Sequence, residues 1–128
     1  MRLLLDTHVA LWAITDDRRL PRTARALIAS SENSIHVSAV TVWEIALEHA
    51  RYPADMPVSG TDALRWFRES GYSMLDVTPD HAAQLESLPL LHADPFDRML
   101  VAQALAEPLR LMTRDADVAR YGDMIMLI

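Results

Sequence analysis

Asp6, Glu44, Asp97 and Asp115 lie far apart along the chain, yet each falls where a strand ends or in the helix that follows one. Carboxylates collected from such positions can share protons or hold a divalent cation. Two of them ~4 Å apart repel by roughly 4 kcal/mol at an effective dielectric of 20. Four converging acids therefore either take up protons or demand a positive ion. Hard oxygen ligands around an open position suit Mg²⁺ or Mn²⁺. Such an ion lowers the pKa of a bound water and steadies both oxygens of a phosphate-ester displacement.

Each acid also has a purely structural reading. Asp6 can end a strand or cap the helix behind it. Asp94, just before Pro95, is a natural N-cap. That places Asp97 in the first turn of a helix, where an acid suits the dipole. Asp115 and Asp117 can be ordinary turn residues. Glu44 fits this reading less well. It shares a helix side with Val40, Trp43 and Leu47, and no arginine lies near it in sequence.

The elements that position these acids follow from the pattern. Residues 2–6 read as a buried strand and 8–14 as a buried helix. Pro21 opens a helix running to Ile28; 35–38 is a second strand and 39–49 a third helix. A loop with Pro53 and Pro57 precedes a helix at 62–70 that stops at Gly71. Strands at 74–77, 109–113 and 124–128 alternate with helices at 78–88, 94–106 and 116–121. This alternation predicts an α/β fold, with a mostly parallel sheet covered on both faces. In such sheets ligands bind beyond the carboxyl ends of the strands, where the strand order reverses. The four acids can therefore meet at that edge.

Composition sets the outer limits. The 128 residues fit a single domain (1–128), able to bury about two-thirds of its unfolded surface. There is no cysteine, which excludes disulfides and thiolate sites, and 51% hydrophobic residues exclude a disordered chain. No stretch is apolar enough for a membrane span, and no secretory signal opens the chain, so a cytoplasmic location is expected. All twelve basic residues are arginine. The absence of lysine removes Schiff-base, P-loop and phospho-aspartate receiver chemistry. A dehalogenase-type phosphatase would want an aspartate at position 8, where His8 stands. A net charge of −6 disfavours bulk attraction to nucleic acid, so metal ions and local arginines must supply it. The histidines form no metal-ligand motif, and His8 and His92 read as core or loop packing. Gly-rich phosphate loops and a serine-hydrolase elbow are also absent.

Four segments together resemble the PIN-domain family, and within it the VapC-type toxins of bacterial toxin–antitoxin pairs. They are LLLDTHVALW (3–12), SAVTVWEI (38–45), HADPFDRMLVAQA (92–104) and LMTRD (111–115), in order and at the family's spacing. The resemblance implies a three-layer α/β/α sandwich and a Mg²⁺- or Mn²⁺-dependent endoribonuclease, a hydrolase that uses a metal-activated water. It assigns the acidic quartet to Asp6, Glu44, Asp97 and Asp115, with Thr113 as the supporting hydroxyl. It also implies a cognate antitoxin and a homodimer. Arg98 and Arg114, each beside one of the acids, are candidate grips for RNA phosphates. The cluster Arg18, Arg19, Arg22 and Arg25 can guide RNA, pair with acids of a partner, or simply solvate a helix. A non-catalytic RNA-binding module on the same scaffold would lack one or more of the acids and carry a basic face.

Overall fold

The computed structural model describes residues 1–128, and it turns the predicted alternation into one sheet of five strands. These are β1 (Arg2–Leu5), β2 (Ser34–Ser38), β3 (Ser73–Leu75), β4 (Arg110–Thr113) and β5 (Ile125–Leu127). Every pairing is parallel, in the order β3-β2-β1-β4-β5. The chain therefore builds outward from β1 in one direction, then returns to the other side of β1 for β4. The gap beyond the ends of β1 and β4 is the switch point where a parallel sheet leaves room for a ligand.

Seven helices make the crossovers. α1 (Thr7–Ile14) and α2 (Arg22–Ala29) join β1 to β2, and α3 (Ala39–Arg51) and α4 (Gly60–Glu69) join β2 to β3. α5 (Pro79–Gln84) and α6 (Pro95–Ala106) lead to β4, and α7 (Ala116–Ala119) leads to β5. Alternation along the strands divides the core into two layers. Leu3 and Leu5 pack with Val9, Ala24, Ile45 and Phe67 on one face. Leu4 and Leu111 pack with Leu100, Val101, Ala104 and Val118 on the other. The result is an α/β/α sandwich. Its central strands are apolar on both sides because both sides are covered.

Local sequence explains the element ends. Ser59 accepts the Asp62 N–H, so α4 starts at Gly60, two residues before the sequence reading placed it. Gly60 also lets α4 approach α3 closely: a Cβ there would lie 2.8 Å from the Ala46 Cβ. Thr78 and His81 form a reciprocal cap on α5. That helix ends at Gln84, and a 3₁₀ turn (Leu85–Ser87) completes the stretch that periodicity alone predicts as one helix to 88. β3 spans 73–75 rather than 74–77, leaving Val77 exposed. No helix is long and apolar enough to cross a membrane.

Candidate functional site

Asp6 follows β1 directly and caps α1: its Oδ1 accepts the Val9 N–H at 2.9 Å. Its Oδ2 accepts the hydroxyl of Thr113 at the end of β4, so the two strands at the switch point are tied through this carboxylate. The Thr113 hydroxyl oxygen in turn accepts the Asp115 N–H at 3.0 Å. Asp115 uses Oδ1 to cap α7, leaving Oδ2 for the cleft. Asp6 and Asp115 thus cap helices and line the cleft at the same time. The cap holds the carboxylate still, and the remaining lone pairs face the site.

Glu44 comes from the second turn of α3, its Oε1 accepting the Thr7 hydroxyl at 2.6 Å. Thr7 also contacts Thr41 at 3.2 Å, in a buried patch between α1 and α3. Asp94 caps α6, with Oδ1 accepting from Phe96 N–H and Asp97 N–H. Asp97 therefore projects from the first helical turn, and its Oδ2 lies 2.8 Å from His92 Nε2. The same His92 nitrogen is 3.3 Å from Asp115 Oδ2.

These groups line one open cleft of about 550 Å³. Asp6, Glu44, Asp94, Asp97 and Asp115 supply five carboxylates, and Thr7, His8, His92, Trp12, Arg19 and Arg114 complete the wall. Burial pushes the carboxyl of Asp6 above the ordinary aspartate range, with the Asp115 charge adding to it against the bonds from Thr113 and Val9. Burial also raises Glu44, and the charges of Asp94 and Asp97 raise it further. Asp97 rises chiefly by burial, then by the charges of Asp94 and Asp6, in spite of its bond to His92. Burial pulls His92 down, but Asp97, Asp115 and Asp94 outweigh that, and its net shift is upward. The cleft is short of positive charge.

The donor chemistry fits a divalent cation. His92, Asp97 and Asp115 each offer a ligand atom, all within 4.8 Å of one another. Asp6 and Glu44 lie on the same wall. Oxygen-rich donors with an open side match Mg²⁺ or Mn²⁺ better than a closed structural site.

The sequence-predicted residues do not all meet here. Asp6, Glu44, Asp97, Asp115 and Arg114 line the cleft, and Thr113 sits beneath it bonded to Asp6. Arg98 is not part of the wall. Its guanidinium donates to the Pro89 carbonyl and the Tyr121 hydroxyl, both at 2.9 Å, and reaches the Leu85 carbonyl. His92, read from sequence as packing, is a member of the site. The signal was its place five residues before Asp97, on the loop that returns over the start of α6. Of the arginine cluster only Arg19 reaches the cleft; Arg25 is occupied by Asp16 and the Asp17 carbonyl. Trp43 does not share the half-buried side of Glu44. It is 59% exposed, edge-on to Phe96 at 5.0 Å, on an apolar groove completed by Val40, Val77, Leu85 and Met99.

Comparison with known proteins agrees with this geometry. The model of the PIN domain matches residues 3–124. Ribonuclease VapC22 of Mycobacterium tuberculosis is 31% identical over 118 residues, covering 88% of this chain and 86% of that protein. The fold is also similar to a solved structure of VapBC2 from Rickettsia felis bound to a promoter DNA fragment. There the TM-score is 0.72 at 17% identity, over 100% of this chain and 98% of that one. A toxin–antitoxin complex from Klebsiella pneumoniae gives a TM-score of 0.63 at 22% identity, over 97% and 95% of the two chains. No receiver or phosphatase assignment survives a family match that spans the sheet from β1 to the loop before β5. By a match that spans residues 3–124 of its 128, the chain belongs to the PIN-domain family.

Proposed function

We propose that this chain is the toxin of a toxin–antitoxin pair, an endoribonuclease that hydrolyses RNA phosphodiester bonds with Mg²⁺ or Mn²⁺. One observation carries the reading: four acids from separate parts of the chain crowd one cleft, and the burial and mutual repulsion that raise Asp6, Glu44 and Asp97 are relieved by a cation. A non-catalytic module would have lost part of this quartet, and nothing is missing.

Asp6, Asp97 and Glu44 would hold the ion directly or through water, and Asp115 would complete the shell or hold a second ion. When bound, the ion lowers the pKa of a water and offsets the charge of the scissile phosphate. The chain's own residues make that arrangement rigid. Thr113 and the Val9 N–H fix both oxygens of Asp6. Thr7 fixes Glu44. His92 draws Asp97 and Asp115 together at a single nitrogen. Preorganised ligands of this kind need no reorganisation as charge develops.

The relatives support the remaining parts of the proposal. Two solved neighbours are toxin–antitoxin assemblies, so a cognate antitoxin is the expected protein partner. The exposed apolar groove at Trp43 and Phe96 supports close association with another protein surface, and a homodimer belongs to the same reading. So does a cytoplasmic location, where the RNA is.

The test is incubation of the purified chain with total RNA, with and without divalent metal. Cleavage with Mg²⁺ or Mn²⁺ that chelation abolishes is expected. Intact RNA under both ions overturns the proposal.

A further inference from the structure

One flank of the cleft is cationic although the chain as a whole is acidic. Arg19 and Arg114 both lie against the indole of Trp12, their Cζ atoms 5.3 and 5.6 Å from a ring centroid. Those distances are within the range of cation–π attraction. Arg114 also donates to the Arg19 carbonyl at 3.3 Å, which gathers the two side chains although their like charges repel. Arg19 is oriented further by two bonds to Asp17, at 3.1 and 2.8 Å. Arg114 is within ion-pairing distance of no carboxylate, although it precedes Asp115 in sequence, and it is exposed. An unpaired guanidinium, stacked and pointed by an aromatic ring, is suited to an external anion. The opposite flank is the reverse: beyond Glu44 the surface continues with Glu48 and Asp55.

We propose that Trp12, Arg19 and Arg114 form the track for the RNA backbone on leaving the acidic centre. The guanidiniums carry phosphates next to the scissile one, and Trp12 is a positioning residue that holds them. This rests on the nuclease reading above. The asymmetry gives the substrate a direction: its phosphates run over the Trp12 flank and are repelled from the Glu48 and Asp55 flank. It also answers how a chain of net charge −6 holds a polyanion. A bound cation serves the scissile phosphate, and this pair serves its neighbours.

The experiment is steady-state cleavage of a short single-stranded RNA in Mg²⁺, across a range of monovalent salt, by the wild-type chain and by R19A, R114A, W12A and W12F. R114A and R19A are each expected to raise KM roughly three- to tenfold with kcat within about twofold, since they remove binding rather than chemistry. Each should flatten the plot of log KM against log salt by about 0.7, the loss of one phosphate contact on a single strand. W12A removes no charge, yet should raise KM in the same way; W12F, which keeps an aromatic face, should recover most of the loss. An unchanged KM and salt slope in R114A overturns the track even if W12A fails to fold. Equal impairment of W12A and W12F at the wild-type slope reduces Trp12 to packing and overturns its role. Arginine variants that keep KM but lose binding to the antitoxin assign the flank to an acidic protein segment instead. A wild-type chain that cleaves no RNA with Mg²⁺ or Mn²⁺ is a different failure, that of the nuclease reading itself.

Discussion

The two ends of α6 both carry a carboxylate against a histidine, and they treat it oppositely. At the start of the helix Asp97 meets His92, but His92 also serves Asp115, and Asp6, Glu44 and Asp94 share the cleft. At the C-cap Glu107 meets His81, which is 1% exposed and has that carboxylate to itself at 2.6 Å. His81 Nδ1 accepts the Thr78 N–H, so Nε2 must carry the proton that is donated to Glu107. Gln103, one turn back, donates to the Asp76 carbonyl, and only its own Oε1 is left unpartnered. Apart from that oxygen, the C-terminal end is a satisfied network that ties α5 to α6. The N-terminal end crowds five carboxylates around one histidine, a repulsion that a cation would relieve. The number of carboxylates that share one histidine therefore separates the cleft from a staple built of the same residue types.

Substitutions at the two ends should break in opposite ways. Asp97→Asn is expected to lower metal-dependent RNA cleavage by more than about 100-fold, because even indirect partners of a metal ligand commonly cost 10- to 100-fold. Its melting temperature should hold or rise, since one carboxylate leaves a crowded cleft. Wild-type cleavage by this variant would dissolve the distinction. His81→Ala should do the reverse: a stability loss of about 2–4 kcal/mol, from a cavity and stranded partners at Thr78 and Glu107, with kcat unchanged. A folded His81→Ala protein with lost activity and wild-type stability would make the C-terminal end functional instead.

Much of this was legible from residues alone. Strands 2–6, 35–38 and 109–113 and the helix at 94–106 agree with the structure within a residue or two, because their apolar runs and caps are unambiguous. The acids were readable for the same reason: a carboxylate at a strand end or in a first helical turn has its direction set by regular geometry. His92 was legible only as packing, and Arg19 only as one of four arginines able to guide RNA. Both sit on irregular connections, where only tertiary packing decides which way a side chain turns. Arg98 and Arg114 look equivalent in sequence, each next to an acid. In a helix, though, successive residues diverge by about 100°, so an Asp97 facing the cleft sends Arg98 toward Tyr121. Arg114 follows a strand end and stays at the rim.

The charge imbalance also predicts how pH and metal act together. Asp6, Glu44 and Asp97 have raised pKa values in the folded chain, so there they bind more protons than in the unfolded chain above the ordinary carboxylate range. Stability then falls as pH rises through that window. His92, also raised, adds stability that is full below 6.5 and lost as pH climbs through its folded value. His36 works against these: burial lowers its pKa, so its contribution grows with pH. It lies on β2, outside the cleft, and cancels when the same chain is melted with and without metal. Asp17, held down to about 2 by Arg19, acts only below about pH 4. The gain in melting temperature on adding Mg²⁺ or Mn²⁺ should therefore be small at pH 5 and grow toward pH 7.5, as the ion replaces protons. A gain independent of pH would mean that the ion binds elsewhere.

The smallest expected effect on cleavage separates the two arginines that sequence could not. Arg98 has two full hydrogen bonds, to the Pro89 carbonyl and the Tyr121 hydroxyl, and Tyr121 accepts the His92 N–H as well. The guanidinium thus braces the loop that delivers His92, without itself entering the cleft. Arg98→Ala should cost about 1–2 kcal/mol of stability through those lost bonds. KM should stay within about twofold of wild type, and the salt slope should not move, since no phosphate contact is removed. Thermal melts and the salt titration, run beside R114A, check both halves. If Arg98→Ala flattens the salt slope while its melt is unchanged, Arg98 leaves the loop to meet RNA, and the cationic surface extends past the start of α6.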